Sequence, residues 1–391
     1  MPTIRRRASL VLALGLALSP AAFAQSVDQA LEQARALEAE SKFAQVIDVL
    51  APHREAARPE VDYALAYAHL NRQLQGAATA TAAEDYAQAL RLANRAAAKD
   101  HGPSLYLLSL IHGNGWGVPA DAAQSRAFLE RAAKAGDVVA RADYAVMLYQ
   151  GRLGLPRDVA TACALFAEVL VKEEVGMIAS YYLGLATARG ECGLGPDMAK
   201  ALALIRRAAD AGVTEAERDM GRALQTGDGI ARNLDAALVW YARAANKGDA
   251  FSLWRLGMAH VRGQGRPLDI VLGVDYLKRA VDAGSPDAMA SLAALLAAGD
   301  GVAQDFGMAR ALYQRAARAG QPQAHRDLAL MHLAGQGAPA DPAQAWVNYQ
   351  KAVALGHAPE PRLDAAIKAA MSPAQAREAE AELAQWRQSR P

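Results

Sequence analysis

The chain has 391 residues, 52% of them hydrophobic, enough to bury a core as two or three globular domains or as one elongated array. Its 42 basic and 41 acidic residues nearly cancel, so no long-range field draws in nucleic acid or an anionic membrane surface. With only two cysteines, Cys163 and Cys192, it is not a disulfide-dense scaffold.

Residues 1–24 read as a secretory signal: Arg5, Arg6 and Arg7, an apolar run from Ala8 to Leu18, and Ala22-Phe23-Ala24 as a small-x-small cleavage site. The run is too short to span a bilayer, no later stretch of about 18 apolar residues follows, and no cysteine follows the cleavage site to take a lipid. The expected product is cleaved after Ala24 and periplasmic or secreted, with no membrane span. From residue 25 to 100 the pattern is helical. "ESKFAQVIDVLAP", "EVDYALAYAHL" and, after the loop "GAATATAA", "EDYAQALRLANRAAA" look like degenerate tetratricopeptide-type helices.

From residue 101 a loop recurs seven times: "GNGWGVPAD", "GRLGLPRD", "GECGLGPD", "GDGIARN", "GQGRPLD", "GDGVAQD" and "GQGAPAD", ending at Asp121, Asp158, Asp197, Asn233, Asp269, Asp305 and Asp341. Steps of 37, 39, 36, 36, 36 and 36 residues mark a building unit rather than a ligand loop. An EF-hand would need acids at alternate positions and a terminal Glu, which these loops lack.

Before each loop lies a column of small residues, Ser109, Ala145, Gly184, Gly221, Gly257, Ala293 and Ala329, with a second small column five residues earlier. Those spacings fall on one stripe of a helix, here helix A, and small residues there admit a neighbouring helix closely. After each acid a second apolar pattern predicts helix B, ending at Gly136, Gly212, Gly248, Gly284, Gly320 and Gly356. The acid suits an N-cap, and the loop glycines supply a tight turn between antiparallel helices. Beyond residue 356, "PRLDAAIKAAM" and a helix opened by Ser372-Pro373 predict a cap on the last open face.

A 36-residue hairpin with this stripe, a G-x-G-V-x-x-D turn and an A-A-x-x-G ending resembles the Sel1-like repeat, a relative of the tetratricopeptide repeat. Seven copies over residues 101–356 carry the resemblance; "VLVKEEVG" in the second departs from it near Lys172 to Gly176. The resemblance implies an all-α fold, an α-solenoid of antiparallel helix hairpins forming a right-handed superhelix, used to hold other proteins and without a catalytic centre. In this family helix A lines the concave side, where partners dock.

On that face, two and three residues before the small column, stand Tyr106, Tyr181, Tyr182, Arg218, Trp254, Arg255 and Arg326, together with Asp143, Asp219 and Asp327; Arg222 lies one turn on. Tyr, Trp and Arg dominate interface energetics, although the aromatics can equally pad adjacent helices. Mixed charge points to a polypeptide partner.

No H-E-x-x-H, G-x-S-x-G, Walker loop or C-x-x-C occurs. His112, His260 and His332 share one column but sit several repeats apart, too far for one metal. Cys163 and Cys192 fall at the same end of neighbouring hairpins; a bridge and a pair of free thiols both remain open. Cysteine-rich bacterial relatives staple every repeat, which this chain does not. The expectation is a non-enzymatic scaffold in the bacterial envelope that binds a partner protein, with no catalytic residue, cofactor, metal or small-molecule substrate. The rival readings are a hydrolase acting on the cell wall or a β-lactam, and a glycan-binding protein.

Overall fold

A computed structural model describes residues 26–75, 82–170, 176–193 and 195–389. The proposed leader and its cleavage site, part of the "GAATATAA" loop and Val171 to Val175 within the irregular repeat lie outside them. The described residues form α-helices and one short 3-10 helix, with no strand. They divide into two compact units, the boundary falling after Asp158.

The second unit shows the repeat most regularly. Helices α11 (Thr214–Thr226), α13 (Ala250–Arg262), α15 (Pro286–Ala298) and α17 (Pro322–Ala334) are A helices, and α12 (Leu234–Asn246), α14 (Ile270–Asp282), α16 (Phe306–Arg318) and α18 (Pro342–Ala354) are their B partners. Each B helix starts where the recurring acid or amide caps it. Asn233, Asp269, Asp305 and Asp341 each accept a hydrogen bond from the backbone N–H three residues on, at 2.8–3.0 Å. Each A helix ends on a left-handed glycine, as at Gly299 with φ of 72°.

The second glycine of the turn has another task. A Cβ on Gly301 would lie 2.2 Å from Cγ2 of Ile270, at the start of the preceding B helix. The G-x-G turn therefore reverses the chain and also lets it press against the neighbouring repeat.

Within a hairpin the small column sets the approach of A to B. A Cβ on Gly221 would stand 2.7 Å from the ring of Tyr241, which is fully buried and donates its hydroxyl to Gln225 at 2.8 Å. Around it Leu238, Leu256, Leu277 and Leu292 form a continuous core running from repeat to repeat. Each fully buried leucine contributes about 1.5–3 kcal/mol. After α18, the helices α19 (Pro361–Ala370) and α20 (Pro373–Gln388) complete the unit, α20 packing on α18. Ser372 opens α20 through a capping box with Gln375.

The first unit contains α1 (Val27–Ala39), α2 (Phe43–Leu50), α3 (Pro59–Gln75), α4 (Ala82–Ala97), α5 (Gly102–Asn114), α6 (Ala122–Lys134) and α7 (Val138–Gln150), with Leu65, Leu105, Leu108 and Leu129 in its core. The α3–α4 hairpin lacks the glycine turn and is joined by a buried polar knot instead. Asp85 on α4 accepts from His69, at 2.6 Å, and from Arg72 and Gln73 on α3. Burial raises the Asp85 carboxyl, but hydrogen bonds from Arg72, His69 and Gln73 outweigh it and hold it below the ordinary range.

Candidate partner-binding face

The residues expected on the helix-A face do fall in register, and most of them are engaged with the next repeat. In the first unit Tyr106 of α5 donates its hydroxyl to Asp143 of α7 at 2.7 Å. In the second unit Tyr181 of α9 (Gly176–Ala188) donates to Asp219 of α11 at 2.8 Å, and Trp254 of α13 donates its indole N–H to Ser291 of α15 at 2.9 Å. One rule covers all three bonds. The side chain three residues before the small column bonds the side chain two residues before it in the following repeat.

Where arginine takes the donor position it reaches other acceptors. Arg218 donates to Asp249, the cap of the next A helix, at 3.2 Å, and lies 3.4 Å from Asp219. Arg326 grips Glu360 with two hydrogen bonds of 2.8 and 3.0 Å and touches Asp327 at 3.1 Å. The Glu360 carboxyl is pulled down to about 2 by Arg326 and then His357.

Exposure separates bracing residues from displayed ones. Tyr181 is only 5% exposed, and burial, followed by the Asp219 charge, pushes its phenol up. Tyr182 is half-buried, stacked on Phe166 with centroids 6.0 Å apart and edge-on to Tyr181. Arg255 lies over the Trp254 ring at 5.1 Å. The side chain of Arg222 is 62% exposed, with Asp219 3.6 Å away.

The histidine column is accounted for by stacking. His112 stacks on Phe128 and His260 on Tyr276, each within one hairpin, at 5.4 and 5.9 Å. His332 is buried and, among the described residues, has no such ring partner. Among the described residues no group of three His, Cys, Asp or Glu side chains is arranged to hold a metal ion. Cys163, in α8 (Val159–Val169), and Cys192, in the turn after α9, are joined as a disulfide with Cα atoms 5.6 Å apart.

Sequence reasoning missed the donor–acceptor ladder, although its signal was present as Tyr106/Asp143, Tyr181/Asp219 and Trp254/Ser291 spacings of 37, 38 and 37 residues.

A search of curated proteins finds no match. Among solved structures, a protective antigen of uropathogenic Escherichia coli strains displaying an SLR fold superposes with a TM-score of 0.71 at 24% identity, covering 88% of this chain and 71% of that one. A Sel1 repeat protein of Oxalobacter formigenes gives a TM-score of 0.51 at 23% identity, covering 79% and 86%. These likenesses concern the fold. The Sel1 repeat model matches residues 59–101, 102–137, 138–168, 178–213, 214–249, 250–285, 286–321 and 322–357, so it also takes in α3 and α4, which lack the glycine turn. Sel1 repeat proteins generally mediate protein–protein interaction on a solenoid that is typically non-enzymatic. With eight consecutive repeats along an all-helical fold, the chain belongs to the Sel1 repeat family.

Proposed function

We propose that this protein is an exported, non-enzymatic scaffold whose helix-A face, the concave side of the solenoid, holds a partner polypeptide of the bacterial envelope. The observation that carries this reading is the strip of Tyr182, Arg218, Arg222, Trp254 and Arg255 on three consecutive A helices of the second unit. Trp254 and Arg218 are fixed in place by bonds to the next repeat. A surface already held in its binding shape loses little side-chain entropy on docking, so its aromatic and guanidinium groups keep most of their binding energy. Asp219 lies between Arg218 and Arg222 on α11, so the strip carries both charge signs, which suits a chain that does the same.

Export is supported by the leader-like first 24 residues and by the Cys163–Cys192 bridge, a bond that persists in oxidising compartments. The test is an in-cell crosslinking pull-down from the envelope with the wild-type protein and the Arg222→Glu/Arg255→Glu variant. A partner recovered at least about tenfold less by the variant is expected from the loss of two interface arginines. Equal recovery contradicts the placement of the face.

A further inference from the structure

At the C-terminal end of the second unit a cavity of about 630 Å³ opens between the last repeat and α20. That volume lies within the range of small-molecule sites. Arg310 of α16, His332 of α17, the cap residue Asp341, and Glu378 and Glu382 of α20 line it. These residues come from positions 310 to 382, and the fold brings them to one place.

The charges around the cavity are only partly used. Glu382 accepts from Gln344 at 2.6 Å and pairs with Lys351 at 3.3 Å. Asp341 spends Oδ1 on the Gln344 backbone N–H at 3.0 Å, and among the described residues no group donates to its Oδ2. Among the described residues, Arg310 and Glu378 make no ion pair, and the imidazole of His332 has no hydrogen-bond partner although the residue is only 8% exposed. The ring nitrogens of His332 are not sealed in the core but reach the cavity, where an entering group can bond them. Burial, and next the nearby Arg310 charge, lower the His332 pKa, so near neutral pH the ring carries a lone pair able to accept from an ammonium group.

One lone guanidinium facing two carboxylates with spare capacity calls for a ligand with one negative and two positive groups. We propose that this cavity binds a free basic amino acid, its α-carboxylate on Arg310, one ammonium between Asp341 and His332, and the other on Glu378. Guanidinium–carboxylate pairing fixes the carboxylate end in a bidentate geometry, and the acids on α20 select for the second ammonium. The site adds a ligand to the scaffold reading and does not depend on it.

Calorimetric titration of the full chain with L-lysine tests the site, with L-norleucine, cadaverine and Nα-acetyl-L-lysine as controls that each remove one charged group. The expected result is one-to-one binding of lysine that each control loses by about tenfold or more. Arg310→Gln should weaken lysine about tenfold while leaving cadaverine unchanged, and Glu378→Gln should weaken lysine while leaving norleucine unchanged. Among the described residues neither side chain makes an ion pair, so the thermal melt should not move. No binding at millimolar lysine, binding indifferent to both substitutions, or acetyl-lysine binding as tightly as lysine overturns the proposal.

Discussion

Replacing Cys163 and Cys192 together by serine is expected to destabilise the α8–α9 segment by about 3–4 kcal/mol, the chain-entropy value for a closed loop of this size. The two residues are 29 apart in sequence, and the loop they close contains Val171 to Val175, where the repeat departs from its pattern. Elsewhere an A-A-x-x-G or A-V-x-x-G ending delivers the chain to the next element. Here the bridge ties the early part of α8 to the turn beyond α9 and restricts the open chain. Hydrogen exchange should show α8 and α9 opening two to three decades more often in the serine variant, with α13 to α18 unchanged. Uniform loss of protection along the chain, or no loss, contradicts this local role.

The second large effect concerns Glu217 of α11, which is 1% exposed. Arg243 and Lys247 of α12 reach it at 2.9 and 2.8 Å, and the same two side chains donate to the carbonyls of Ala209 and Gly212 at the end of the preceding repeat. Arg243 also lies over the Trp240 ring at 4.5 Å. Removing both cations in an Arg243→Met/Lys247→Met variant strands a buried carboxylate. The expected cost is about 3 kcal/mol, at the low end for broken buried pairs because both cationic groups keep contact with water. Adding Glu217→Leu should recover most of that loss, since a buried pair exchanged for apolar groups is often near neutral. Urea unfolding followed by circular dichroism reads both steps. A triple variant no more stable than the double contradicts the account.

The repeat was legible in the sequence because its period is written in short-range backbone chemistry. Asp305 caps a helix three residues away and Gly299 ends one in place, so neither depends on distant partners. Facing was harder to read. Tyr181 and Arg222 lie on the same side of their helices in a helical wheel, yet Tyr181 is consumed by Asp219 of the next repeat while Arg222 projects outward. That outcome is decided by the register between successive A helices, which the pattern within one helix does not contain. The α3–α4 hairpin escaped recognition as a Sel1 repeat because the Asp85 knot does the joining that small residues and glycines do later in the chain. The cavity beside α20 was equally invisible, its charged groups being spread over three hairpin elements with no shared motif.

Photo-crosslinking in living cells, with the reactive residue placed at position 222 on the helix-A face or at position 239 on α12, tests the central claim most directly. Val239 is 54% exposed and lies on helix B, so it serves as the matched control. A discrete crosslinked polypeptide from position 222 and none from position 239 is the predicted result. Crosslinks from position 239 with none from 222 would contradict it.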